Sequence, residues 1–286
     1  MQHILDDLRE LKDLSSVHLA DFHLCSPFTV VLLSDGSVGS SGNYSVQNHA
    51  YGYSPARIKE SYARLLASDP FLFQRLRDDH TLAGQSLFTA ILSALSQDVL
   101  NESVLSDYDL KIVPVTNWLT IVEKLLRAGD SVKMIGYGGA LPVFCAPRTV
   151  RSLQICDFSF RDSKYRDLAW REIESFGFDS SRVILSSEAS ELERSHTSDI
   201  YFITGSALCN GTMERLLEQS LGCREVIVQG PSCSVFPLEF FRRSATLLLT
   251  TTKSRAEFEA GRYPGDEVYE FVDQNYIAIS RMNPGA

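Results

Sequence analysis

The sequence predicts an α/β protein in which a small α+β unit, residues 1–110, precedes a larger unit, residues 111–286, built on a mainly parallel sheet. Two observations carry the division. The first half reads as a hairpin followed by helices, whereas in the second half short apolar runs alternate with helical periodicity. A third observation locates a site. The apolar run Ile200–Ile203 ends in Thr204-Gly205-Ser206, and about twenty residues later Val226–Val228 ends in Gln229-Gly230-Pro231-Ser232-Cys233. Adjacent strands that both end in small polar loops floor a ligand crevice at the carboxyl edge of an open α/β sheet.

Taken in chain order, Ile4, Leu5, Leu8, Leu11 and Leu14 recur at helical spacing and give an amphipathic opening helix. Phe28–Leu33 reads as a strand. Asp35-Gly36 reverses it into a second strand through Val38, because glycine accepts the positive φ of a tight hairpin turn. Ser54-Pro55 is a helix start, a capping hydroxyl followed by proline at the first helical position. Leu87, Ile91, Ala94 and Leu95 mark another helix, and the first unit closes near Leu110.

Beyond it, Thr116–Arg127 is helical, with Gly129 as its terminator. Val132–Ile135 is a strand running into Gly136-Tyr137-Gly138-Gly139, and Leu153–Cys156 is a second strand ending at Asp157. Leu168, Ala169, Ile173 and Phe176 lie on a helix closed by Gly177. Val183–Leu185, Ile200–Ile203 and Val226–Val228 supply further buried strands. Alternation of this kind implies βαβ crossovers and a parallel sheet. Ser254-Arg255-Ala256-Glu257 is a capping box opening a late helix, and Tyr276–Ile279 reads as a last edge strand.

Composition narrows the function classes. With 44% hydrophobic and 22% charged residues the chain is an ordinary globular protein. Its formal charge of −9 argues against a general binder of nucleic acid or anionic membrane, both of which need a cationic face. Arg242-Arg243 is one candidate for a local basic patch. No apolar run approaches the roughly 20 residues that span a bilayer, and the start carries acids where a secretory signal carries Lys or Arg, so the cytoplasm is expected. The six cysteines form no Cys-x-x-Cys pair, which removes the usual sign of structural zinc.

Four loops could carry chemistry. Gly136-Tyr137-Gly138-Gly139 stands where a parallel sheet places its first glycine turn, and Asp157, 21 residues after Gly136, stands where an acid accepts hydrogen bonds from a ribose. The spacing is not G-x-G-x-x-G and Ala140-Leu141-Pro142 is no clean helix start. S-adenosylmethionine or another nucleoside therefore fits better than a pyrophosphate; the same residues also suit a tight turn with a capping Asp. Asn210-Gly211-Thr212 precedes the helix of Leu216 and Leu217, where Asn210 or Thr212 can cap and the first-turn N–H groups can meet an anion. Capping alone explains Asn and Thr, but not Gly205-Ser206 before them or Gly230-Pro231-Ser232 beside them. Cys209 and Cys233 lie on these loops, which opens a reading with a divalent transition metal; His49, His80 or His196 could complete the ligand set only through the fold. Asn43, Tyr44 and His49 follow the hairpin in a polar stretch that could fold over a neighbouring site or be a plain surface connection. No nucleophile-elbow serine, His-Glu-x-x-His or Walker loop is present. Tyr137, Asp157 and Glu214 are the ionisable residues expected near the crevice, and whether the protein is an enzyme stays open.

The string Thr204-Gly205-Ser206-Ala207-Leu208-x-Asn210-Gly211-Thr212-x-Glu214-x-Leu216-Leu217, followed by Gly230-Pro231-Ser232 and Pro237, resembles the signature of an uncharacterised prokaryotic family labelled "putative heavy-metal chelation". Ile135-Gly136-Tyr137 and the Leu87–Leu95 helix fit it too. The resemblance implies an enolase-N-terminal-like domain joined to a Rossmann-like domain, with the site in the cleft between them. It implies site positions at Gly136, Tyr137, Ser206, Asn210, Gly211, Thr212, Pro231 and Ser232. The chain departs from the family pattern at Cys233, Phe236 and Phe240-Phe241-Arg242-Arg243, and again at Leu247–Thr250, changes able to reshape the pocket. Three readings follow: a cleft that binds a small metabolite or metal–metabolite chelate; an enzyme that uses S-adenosylmethionine or a related nucleoside to modify or cyclise an amino-acid-like substrate; and a thiolate metal carrier on Cys209 and Cys233. The expected partner is a small molecule, with a homodimer left open.

Overall fold

The computed structural model describes residues 2–24, 28–43, 72–146, 150–188, 198–260 and 275–282. The helix start expected at Ser54-Pro55, together with Cys25, Tyr44, His49 and His196, lies outside them. The fold is mixed α/β: a small antiparallel sheet with helices in the N-terminal part, and a large, mainly parallel Rossmann-like sheet.

The opening helix, Gln2–Leu11, puts Ile4, Leu5 and Leu8 into the core. Strands β1 (Leu19–Leu24), β2 (Phe28–Leu33) and β3 (Val38–Gly42) form an antiparallel sheet in the order β1-β2-β3. The Asp35-Gly36 turn joins β2 to β3 as its chemistry requires, with Gly36 at φ 88°. β1 carries few β-branched residues and gives no clear period-two signal. The β2 edge recruits it, with His23 opposite Val30.

The helix Leu82–Ser96 starts at a Thr81 cap whose side chain accepts from the Gly84 N–H. Thirteen of its fifteen residues are buried, so it is covered on all sides rather than on one face. The hairpin covers one flank and the Pro231–Cys233 turn lies against another. Leu87, Ile91 and Leu95 are fully buried, each contributing about 1.5–3 kcal/mol of transfer free energy.

The large sheet has eight strands in the order β4-β11-β10-β9-β8-β5-β6-β7. They are β4 (Leu110–Val115), β5 (Asp130–Ile135), β6 (Val150–Cys156), β7 (Val183–Ser186), β8 (Ile200–Thr204), β9 (Glu225–Gln229), β10 (Leu247–Thr252) and β11 (Asn275–Arg281). From β7 across to β10 every pair is parallel. With β5 counted as the first strand, the six run 3-2-1-4-5-6, the Rossmann order, and the topological switch point falls between β5 and β8.

Three expectations change here. Tyr276–Ile279 lies inside the sheet: β11 pairs antiparallel with β10 on one side and β4 on the other. The edge is β4, where Pro114 is tolerated because an edge strand has N–H groups that need no ladder partner. The Trp118–Leu125 helix ends before Gly129, which instead takes φ 88° in the turn leading into β5. Leu168 turns outward at 49% exposure, while Ala169 and Ile173 hold the Ser163–Ser175 helix to the sheet.

Apolar packing covers both faces of this sheet. One cluster sets Val132, Leu153, Phe202 and Leu249 against the Trp118–Leu125, Leu141–Phe144 and Ser163–Ser175 helices. The other runs from Ile4, Leu87 and Leu95 to Ile203, Val228, Phe236 and Leu248, so a single apolar mass crosses residue 110, the first residue of β4. At the amino edge, Arg224 grips Asp130 through two hydrogen bonds of 2.8 and 2.7 Å, and Asp199 accepts from the Ser131 N–H and hydroxyl, each at 2.8 Å.

Candidate functional site

The carboxyl edge is built from glycines and hydroxyls. β8 ends at Thr204, whose side-chain oxygen accepts from the Ser206 N–H and lies 3.1 Å from the Ser206 hydroxyl. Beside it β9 runs into Gly230 and the short turn Pro231–Cys233. The end of β3 is seated between these two loops. The Gly42 N–H donates to Ser232 Oγ at 2.7 Å, and a Cβ on Gly42 would stand 3.2 Å from Ser206 Oγ. A Cβ there would press on the Ser206 side chain, which would have to shift slightly to admit it.

Behind Gly42 the hydroxyls form a buried network. Ser41 Oγ donates to the Ser86 carbonyl at 2.6 Å, and Ser86 Oγ lies 2.7 Å from the Thr29 hydroxyl and 2.9 Å from the Gly42 carbonyl. Asn43, 1% exposed, follows directly, so this part of the polar stretch after the hairpin is interior rather than surface connection. The far end of the Leu82–Ser96 helix is fastened the same way, with the Phe236 N–H donating to Ser96 Oγ and the Lys253 N–H to Gln97 Oε1.

Both cysteines belong to this region. Cys209 is buried near Ser41, Thr89 and Ser232, and burial pushes its thiol up. Burial likewise pushes the Cys233 thiol up to about 12; its sulfur lies 2.9 Å from the Gly230 carbonyl, to which it donates. A thiol ligates as its thiolate, and burial opposes that ionisation at both cysteines. Among the described residues no group of three His, Cys, Asp or Glu is placed to hold a metal, and His80 is exposed. The described donor set therefore does not fit a bare metal ion.

On the other side of the switch point, Gly136 takes φ 91°, and a Cβ there would stand 2.7 Å from Thr204 Cγ2. This close approach brings the glycine turn against the β8 loop. The Tyr137 N–H donates to Asp157 Oδ2 at 2.7 Å, while Asp157 Oδ1 accepts from the Ser159 N–H at 2.8 Å and hydroxyl at 2.7 Å. Asp157 thus caps the turn Phe158–Arg161 and braces the glycine loop, with three of about four acceptor positions occupied and one left. Gly138 and Gly139 are exposed. The Tyr137 hydroxyl donates to Glu172 on the Ser163–Ser175 helix, and burial together with Glu172 holds it well above the phenol range. It faces away from the crevice.

Three other expectations are corrected. Thr212 stands at the N-cap of the helix that follows but makes no side-chain cap hydrogen bond, and Asn210 lies two residues before it. Asn210 Oδ1 accepts from the Thr212 N–H and hydroxyl, and the Met213–Gln219 helix has only seven residues, too short to offer an anion site of its own. Gly211 sits in that turn at φ 71°. Arg242 and Arg243 are no basic patch, because Arg242 pairs with Asp7 at 3.0 Å and Arg243 with Glu239, Glu218 and Glu214 at 2.7–3.5 Å. Glu214 is therefore turned to Arg243 rather than to the crevice. The structure thus gathers Ser206, Pro231, Ser232, Cys209 and Cys233 with the hairpin end, and Gly136–Gly139 with Asp157. The hydroxyl network of Thr29, Ser41 and Ser86 had no readable signal, since isolated Ser and Thr are common at any position.

These features define a Rossmann-like sheet whose carboxyl edge is covered by an N-terminal hairpin and helix. Residues 121–258 match the family model described as "Putative heavy-metal chelation", as the Thr204–Leu217 string implies. A protein of unknown function from the family of that model in Pyrococcus horikoshii has a similar fold, with a TM-score of 0.60 at 18% identity over 97% of this chain and 98% of that one. Another, from Desulfitobacterium hafniense, gives 0.63 at 14% identity over 98% of this chain and 99% of that one. No curated protein gives a significant match. Among the described residues no helix is long and apolar enough to cross a membrane.

Proposed function

We propose that the chain is a cytoplasmic binding protein that takes a small polar metabolite, or a metal already wrapped by one, at the junction of the hairpin end with the β8 and β9 loops. On this reading the cleft lies between two domains divided at residue 110. One observation carries the reading: Gly42 is seated between Ser206 and Ser232, with its N–H on Ser232 Oγ. Hydroxyl and backbone groups from both parts of the chain converge there, and among the described residues no carboxylate–histidine pair joins them. Such a surface recognises a neutral or charge-compensated polar ligand through hydrogen bonds and supplies no proton-transfer machinery. A chelate suits it better than a bare ion, because it brings its own ligands to a site whose thiols stay protonated.

A thermal-shift screen tests this with divalent metals, small amino-acid-like metabolites and their preformed chelates. A ligand at 100 times its dissociation constant adds roughly 2.7 kcal/mol. Stabilisation by metabolite or chelate, lost in Ser232→Ala, supports the reading. Stabilisation by Zn²⁺, Ni²⁺ or Cu²⁺ alone, lost in a Cys209→Ser/Cys233→Ser double variant, replaces it with a thiolate carrier.

The Rossmann strand order favours a second reading, a nucleoside such as S-adenosylmethionine held at Gly136–Gly139 and Asp157 at the ends of β5 and β6. Stabilisation confined to S-adenosylmethionine and its homocysteine analogue would promote it.

A further inference from the structure

Phe158 follows Asp157 directly and opens the short turn at the carboxyl end of β6. It is 49% exposed, whereas Phe160, two residues on in the same turn, is buried against Tyr137. The turn itself is rigidly fixed. Asp157 caps it through the Ser159 N–H and hydroxyl, and the Asp157 N–H donates to the Ser186 carbonyl at 3.0 Å. The Arg161 guanidinium lies 5.4 Å from the Phe158 ring centroid and leaves the ring half open to solvent. The Phe158 ring is thus an exposed aromatic face held next to Asp157 on a braced turn. On the neighbouring loop, no atom of the described residues lies within 4 Å of the Cβ position of Gly138.

We infer that Phe158 is a stacking platform for the purine of a nucleoside whose ribose donates a hydroxyl to the remaining acceptor position of Asp157. The ring supplies a π face and the carboxylate one hydrogen bond. The glycines let the sugar and its substituent pass towards the switch point. No phosphate grip accompanies them: the helix after the glycine turn, Leu141–Phe144, has four residues, and Ala140 gives it no side-chain cap. The ligand class is accordingly a nucleoside or sulfonium nucleoside rather than a nucleotide. This inference deepens the nucleoside reading above and rests on it.

Isothermal titration of the full chain with adenosine, S-adenosylmethionine and ATP tests it, in the parent protein and in Phe158→Ala and Phe158→Tyr. The parent is expected to bind adenosine and S-adenosylmethionine, with ATP no tighter than adenosine. Base–aromatic stacking predicts that Phe158→Ala weakens adenosine by about 5- to 150-fold, while Phe158→Tyr stays within about 3-fold of the parent. Phe158→Trp adds a direct readout, quenching of the new indole fluorescence by the stacked purine. Because the side chain is half exposed, all three variants are expected to unfold at the parent's midpoint, which circular dichroism checks. If the parent binds adenosine and Phe158→Ala binds it equally well, the stacking inference is overturned and the nucleoside reading stands. If the parent binds none of the three, both fall. Tightest binding of ATP overturns the choice of ligand class.

Discussion

The two edges of the large sheet use opposite chemistry. At the amino edge, Asp130, Arg224 and Asp199 tie β5, β8 and β9 together through charge. At the carboxyl edge, Gly42, Thr204, Ser206 and Ser232 meet through hydroxyls and backbone groups. At the first edge both Asp130 carboxylate oxygens are taken up by Arg224, whose buried Nε has no hydrogen-bond partner among the described residues. Neutral hydroxyls both donate and accept, so the second edge can exchange partners with a ligand without stranding a charge. The contrast separates where the protein is held from where it can bind.

The contrast breaks most visibly at Arg224. Arg224→Ala leaves Asp130 buried without its partner and should cost about 3 kcal/mol in urea unfolding, with ligand affinity unchanged in the surviving folded protein. A change in affinity as large as the change in stability would mean that the edges are coupled. Gly136→Ala comes next. Its φ of 91° and the 2.7 Å approach to Thr204 should cost about 2 kcal/mol, and it should weaken binding of either class of ligand by disturbing the switch point. Ser232→Ala should cost about 1 kcal/mol, since the buried Gly42 N–H loses its acceptor. Loss of metabolite binding well beyond that of Arg224→Ala would sharpen the division.

The smallest expected effect is on acidification. The Arg224 hydrogen bond holds the Asp130 carboxyl below its ordinary value, and the Ser131 hydrogen bonds do the same for Asp199. Folded values below unfolded ones mean stability that is fully present above the unfolded carboxylate range. It is lost as pH falls through the lower, folded values. Melting temperature should therefore drop as pH falls below about 4, and Asp130→Asn should flatten that drop. An unchanged acid slope in the variant would place the acid-sensitive groups elsewhere.

Much of this was readable from residue order. The strands β5 to β9 announced themselves because buried strands read as short unbroken apolar runs, whereas β10 went unread, and Asp35-Gly36 marked its hairpin because few other pairs suit that turn. β1 and β4 were not legible: one has little alternation, and the other, with its proline, depends on β11 for a partner. β11 looked like an edge because a sequence shows that a strand is the last in the chain, never which strands flank it. At the site, the loop glycines and Ser232 were legible by their type. The destinations of the Tyr137 hydroxyl, Asp157 and Asn210 were not, since each could reach several partners. Phe158 carried no signal, because exposure is not written in an aromatic residue.

By itself the sequence determined the alternation of strands and helices, the small polar loops that end β8 and β9, and the family those loops resemble. These follow from local periodicity and turn chemistry, which act over a few residues. Tertiary structure alone decided that β4 and β11 complete the sheet and that Gly42 reaches Ser232 across 190 positions. It alone turned Tyr137 away from the crevice and left Phe158 facing solvent. Those outcomes depend on which surfaces meet when the apolar faces are buried, and hydrogen-bond partners are chosen only after that burial has fixed the distances.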